Sequence, residues 1–170
     1  MVNWIKTICV VFLLFVLAGC GFEFMGSGTL PGGSKKICVN VFDNKTTYSG
    51  FGNIMSNMMV AEISRFGTAQ LANPASADAI LKGKITSIQS GSIAHSTLQT
   101  PTERRVWVTV EATLVSRGGE ILWESGPVTD NEAYFVGGDY ATSSRNENKA
   151  VEEVMKRIAE TMYYRMTSDF

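Results

Sequence analysis

The chain has 170 residues, 45% hydrophobic and 18% charged, with a formal net charge of −1. This length suits one domain able to bury a core, and the near-zero charge excludes nucleic-acid binding driven by phosphate neutralisation. The charged share is below the usual quarter or so; part of the deficit is an apolar N-terminus, and the rest implies a surface covered by something other than water.

Lys6 precedes an uncharged apolar run from Ile8 to Leu17, which leads into Leu17-Ala18-Gly19-Cys20. The run is too short for a bilayer core of about 30 Å and has the length of a signal-peptide h-region. Ala18 and Gly19 are small enough for a narrow protease cleft, and the Cys20 thiol is open to acylation. Residues 1–19 are therefore expected to be a lipoprotein signal peptide, with Cys20 the lipidated, palmitate-type first residue of the mature chain. An ordinary secretory signal or short membrane anchor would leave Cys20 incidental. Gly21, where an Asp would favour the inner membrane, leans the sorting towards the outer membrane. Cys9 leaves with the signal, so Cys38 has no partner for an intramolecular disulfide; it reads as a small buried hydrophobe.

Residues 20–34, rich in Gly and carrying Pro31, read as the lipidated N-terminus and a flexible tether; 35–170 read as a single domain. Lys36 to Phe42 alternates as a strand, with Ile37, Val39 and Val41 on one face. Phe51 to Phe66 has helical periodicity, with Phe51, Met55, Met58, Met59 and Phe66 on one arc and Gly67 as its stop. Glu62 sits in that arc three residues before Arg65. An ion pair at the edge of the core is the favoured reading; a polar group facing a partner is the alternative.

Ala79 to about Ile93 is expected to be a strand with an irregularity near Ser90-Gly91-Ser92, followed by a polar loop from His95 to Thr102. Arg105 to Val115 alternates most cleanly: Val106, Val108, Val110, Ala112 and Leu114 oppose Arg105, Trp107, Thr109, Glu111 and Thr113. Arg117-Gly118-Gly119-Glu120 is a hairpin turn. The next strand starts at Ile121, with Trp123 on the same apolar side, and runs unevenly to Phe135. Ser144 to about Thr167 is a second helix, with Ser144 and Glu147 as a capping box and a stripe through Val151, Val154, Met155, Ile158, Met162 and Met166. The order β-α-β-β-β-α, with one apolar face per element, predicts an α+β two-layer sandwich: two helices packed on one face of a four-stranded mixed sheet.

Catalytic chemistry has little footing. His95 is the only histidine and stands in a Ser/Thr-rich loop, with no nucleophile elbow. Asp130, Glu132 and Asp139 match no metal-ligand spacing, and no phosphate-binding glycine pattern follows a strand. No enzyme activity, metal or cofactor is expected. Pairing the central strands as a hairpin puts Arg105 near Ser92 and sets Lys82 and Lys84 far along the sheet, so they form no single anion site. Arg104, Arg105 and Trp107 are the candidate binding group, because cations beside an exposed aromatic suit the phosphate and acyl or sugar parts of an amphiphile. An ordinary charged strand end would look the same.

Motif order adds a resemblance. Cys20-Gly21-Phe22 leads to Leu30-Pro31, then to Ile37-Cys38-Val39-Asn40-Val41-Phe42-Asp43-Asn44. After these come Glu62-Ile63-Ser64-Arg65-Phe66-Gly67, Ala77-Asp78-Ala79-Ile80-Leu81-Lys82-Gly83-Lys84-Ile85, Arg105-Val106-Trp107-Val108 and Gly119-Glu120-Ile121-Leu122-Trp123. Across nearly the whole mature chain this resembles the LptE family of lipopolysaccharide-assembly lipoproteins. The resemblance implies a two-layer α/β fold and a non-enzymatic role as the plug and assembly partner of the LptD outer-membrane β-barrel. It further implies lipopolysaccharide binding and a lipid-anchored, periplasm-facing position at the outer membrane. Glu124-Ser125-Gly126-Pro127-Val128 carries no Lys or Arg, which departs from family members with implicated basic residues and leaves lipid A contact there without support. The alternative function is a lipid-anchored periplasmic accessory of an ABC-type exporter or secretion system.

Overall fold

The computed structural model describes residues 29–95 and 101–168. Two helices, α1 (Phe51–Phe66) and α2 (Tyr140–Ser168), pack against a curled mixed sheet in an α+β arrangement. The strands are β1 (Lys36–Val39), β2 (Asp43–Asn44), β3 (Gln70–Leu71), β4 (Ala79–His95), β5 (Pro101–Ser116), β6 (Ile121–Glu124) and β7 (Val128–Phe135).

Helix α1 has the expected bounds. Its residues Phe51, Met55, Met59 and Ile63 recur every fourth position and are at most 4% exposed, so one stripe faces the sheet throughout. Gly67 ends it in the left-handed region at φ 63°, its N–H bonded to the Ile63 carbonyl at 3.1 Å. The stripe of α2, Val151, Val154, Met155, Ile158, Met162 and Met166, is fully buried, each side chain worth roughly 1.5–3 kcal/mol of transfer free energy.

The start of α2 differs from expectation. It begins at Tyr140, where Asp139 accepts the Thr142 N–H at 2.8 Å and the Thr142 hydroxyl at 2.9 Å. That carboxylate satisfies a backbone donor of the first turn. Ser144 therefore lies inside the helix and no capping box forms. Glu147 instead accepts a hydrogen bond from the Tyr48 hydroxyl.

The strand order is β3-β1-β4-β5-β6, with β2 also beside β4 and β7 also beside β5. The expected four strands are thus four lanes, two of them broken, with the two-residue β3 added at one edge. Pairings of β1 with β3 and β4, and of β2 with β4, are parallel; those among β4 to β7 are antiparallel.

One-residue bulges explain the broken lanes. From Val39 opposite Leu81 to Asp43 opposite Lys84, the outer lane advances one residue more than β4. Alternation therefore inverts: Phe42 is 2% exposed and enters the core, while Val41 is 67% exposed. The expected common face of Ile37 and Val41 is lost there. The other lane likewise advances four residues, Glu124 to Val128, against three of β5, Thr113 to Val110; within β6, Leu122 is a further extra residue between Leu114 opposite Trp123 and Val115 opposite Ile121. Trp123 turns inward and Ile121 outward, although the sequence reading places them together. In β4, Thr86 and Ile93 form further irregularities, the latter beside the expected Ser90-Gly91-Ser92.

Phe42 fits a cleft made by two glycines. A methyl on Gly83 would stand under 3.0 Å from its ring, and one on Gly52 would strike its carbonyl. Its N–H donates to Ser56 Oγ at 2.8 Å, and that hydroxyl donates to the Gly52 carbonyl at 2.7 Å. Residues 30–34, assigned by sequence to the tether, pack onto the domain: Leu30 is 2% exposed, Pro31 is buried, and Ser34 Oγ donates to the Pro31 carbonyl at 3.0 Å. The expected signal peptide, Cys20 and residues 21–28 of the expected tether lie outside the described residues. Cys38 is buried, as expected.

Candidate functional site

Strand β5 carries the candidate group, and its alternation divides it. Val106, Val108 and Val110 are fully buried towards the helices. Arg104 belongs to that side, opposite Tyr134, whereas Arg105 and Trp107 belong to the open face. On the open face Arg105 lies between Gly91 and Ala133, and Trp107 between Gln89 and Asn131. Trp107 keeps 36% exposure, with Cζ3 at 3.3 Å from where a Gly91 Cβ would be. The glycine gives the indole a flat seat. Phe135, opposite Glu103, is 72% exposed at the end of β7. Sequence reasoning missed Phe135; an unpaired aromatic at a strand end is the signal that could have found it.

Arg104 joins a polar cluster under the helices instead. Its guanidinium approaches the Ser90 carbonyl at 3.4 Å. Ser90 Oγ and the Tyr134 hydroxyl are 2.6 Å apart, and Tyr48 donates to Glu147 at 3.0 Å. Burial, then the bond to Glu147, push the Tyr48 hydroxyl up to about 12. Burial also raises Tyr134. No short motif could have revealed this cluster, because Tyr48 and Glu147 are 99 residues apart. The Nε atoms of both Arg104 and Arg105 are buried without a hydrogen-bond partner, so both cations have unspent donor capacity.

Lys82 and Lys84 stand elsewhere. Lys84 lies opposite Glu111 and pairs with it at 2.9 Å; both lysines line a shallow hollow with Asn40, Val41 and Glu124. The expected separation of Arg105 from these lysines holds. Glu62 makes the expected ion pair with Arg65 at 2.6 Å, and Arg65 lies over the Phe66 ring. Among the described residues no group of His, Cys, Asp and Glu could hold a metal ion, and no helix is long and apolar enough to cross a membrane.

Two helices on one face of a curled sheet, with the other face polar, is the fold of a class of small bacterial lipoproteins. Rare lipoprotein B from Shewanella oneidensis superimposes with a TM-score of 0.56 at 14% identity, covering 79% of this chain and 96% of that one. Lipoprotein B from Nitrosomonas europaea gives 0.58 at 14%, covering 89% and 92%. A minor lipoprotein from Acinetobacter baumannii gives 0.54 at 13%, covering 79% and 92%. These likenesses establish the fold. No curated protein matches the sequence. The model of the LptE lipopolysaccharide-assembly family matches residues 34–166, and the chain belongs to that family. Its role is therefore in lipopolysaccharide assembly.

Proposed function

We propose that this protein is a non-enzymatic lipoprotein of the outer membrane, anchored through Cys20 and facing the periplasm. There it acts as partner and plug of an LptD-type β-barrel, assisting barrel assembly and delivery of lipopolysaccharide to the outer leaflet. The family match over residues 34–166 carries this reading. The open, polar sheet face supports it, because a sheet covered by helices on one side only has its second side free for a partner. Arg105 and Trp107 are the proposed lipopolysaccharide contacts, a cation for phosphate and an indole for acyl or sugar surface, with Phe135 as a further exposed aromatic at the end of the same face. Arg104, on the helix side, is proposed to support them through its polar cluster and not by direct contact. Affinity recovery from detergent-solubilised outer membranes tests the reading. A large barrel protein recovered in near-equal amount is expected; reproducible recovery of this chain alone overturns it.

A further inference from the structure

The two edges of the sheet are finished differently. Along β7 and the segment before it, α2 occupies backbone carbonyls. Asn146 donates to Phe135 at 2.8 Å, Arg157 to Asn131 at 2.8 Å and Arg165 to Ser125 at 3.4 Å. Arg157 also holds Asp130 at 2.6 Å and Glu132 at 2.8 Å, one on each side of Asn131. Fixtures of this kind stop an edge from pairing with another strand.

The distal half of β4 lacks them. The outer lane bonds β4 as far as Lys45 N–H to the Ile85 carbonyl; beyond that point no described strand flanks its outer side. Leu81 and Ile85 both turn carbonyls to the outer lane. The bulge at Thr86 adds one residue to β4 while β5 keeps its alternation, so Ile88, Ser90 and Ser92, opposite Val108, Val106 and Arg104, direct N–H and C=O away from β5. Of these groups only the Ser90 carbonyl has a described donor, the long contact from Arg104. Ser87 to Ile93 contains no charge and no proline, and Ile93 is 42% exposed.

We infer that this edge receives an extended segment of the barrel partner, which adds a strand beside β4. The inference rests on the partnership proposed above and names the surface used. The edge specifies its occupant: a backbone with free alternating donors and acceptors, and uncharged side chains, since nothing on Ser87–Ile93 would neutralise a charge taken out of water.

Ser92→Pro tests it, because proline removes one outward N–H and leaves the bonds to β5 intact. Ala133→Pro makes the equivalent change on β7, where Ala133 also faces away from β5. Thermal melts establish that both full-length variants fold. Ser92→Pro is expected to reduce barrel protein recovered from solubilised outer membranes by about tenfold, with Ala133→Pro at the wild-type level. A photoreactive side chain at the exposed Gln89 should join covalently to the barrel protein, a readout independent of the proline variant's stability. Equal recovery by wild type and a folded Ser92→Pro, or a Gln89 probe that yields no adduct or only a dimer of this chain, overturns the strand-docking inference. Wild type recovering no barrel protein overturns the partnership itself.

Discussion

The ring of Phe42 occupies the space that a side chain on Gly83 would need. An aromatic displaced into the core by a bulge is accommodated because the strand it crosses is bare at that position. Gly83→Ala should therefore destabilise by about 2–4 kcal/mol through overpacking, and Phe42→Ala by about 3–5 kcal/mol through a cavity. The double variant should cost clearly less than their sum, because the added methyl enters the vacated space. Urea denaturation of the three variants measures this, and strict additivity would show that the two groups do not meet.

The Tyr48–Glu147 bond predicts alkaline lability. The folded pKa of Tyr48 is raised from 10.0 to about 12, so folding favours the protonated phenol. Its contribution is complete below about pH 10 and is lost as pH rises towards 12. Tyr48→Phe should lower the Tm at neutral pH and flatten its fall over that interval. Some slope should remain, since Tyr134 and Tyr163 are also raised by burial. An unchanged alkaline slope in the variant would contradict the assignment.

At the start of α2, hydrogen bonds from Thr142 depress the Asp139 pKa. A depressed carboxyl stabilises the fold above its unfolded pKa, and that contribution disappears as pH falls through the folded value. Asp139→Ala should lower the Tm at neutral pH and lose its difference from wild type in strong acid. Ser144→Ala should leave the Tm nearly unchanged, whereas a capping box would require the opposite ranking.

Adjacent arginines should separate by function. Arg105→Ala with Trp107→Ala should weaken lipopolysaccharide affinity about tenfold without lowering the Tm, since both residues lie on the open face. Arg104→Ala should lower the Tm through the Tyr48 and Tyr134 cluster. Affinity titrations alongside melts decide it; unchanged affinity in the open-face double variant removes the proposed contact.

Arg157→Ala should uncover the β7 edge. It removes the donor to Asn131 and leaves Asp130 and Glu132 without their common cation. Self-association that grows with protein concentration is expected in sedimentation, and a variant that remains monomeric at high concentration would refute the guarding role.

The helices were legible in the sequence because their buried stripes run unbroken: Phe51 to Ile63 and Val151 to Met166 keep one period from end to end. Strand faces were legible only between bulges. Neither Val41-Phe42 nor Ile121-Leu122-Trp123 carries a glycine or proline to announce an extra residue, so period-two reading continued through both and assigned one member to the wrong side. The start of α2 was misplaced because Ser144 and Glu147 have capping-box spacing while Asp139 makes the bond. For the candidate site, the sequence groups Arg104 with Arg105 and Trp107 because the clean alternation starts at Arg105; the strand in fact starts at Pro101, and its continued alternation puts Arg104 on the helix side. What no local pattern held was the company Arg104 keeps, since Tyr48, Tyr134 and Glu147 arrive from three distant segments.

Leu30 and Pro31 are seated on the domain, and the chain then enters β1, which bonds in parallel to β3 on one side and to β4 on the other. Any pull arriving along the N-terminus must first lift Leu30 out of the core. It next meets the ladders of β1 with β3 and β4, whose bonds would share in shear a load directed along β1. The N-terminal end of the domain is thus built to bear tension, as the proposed anchor at Cys20 would require.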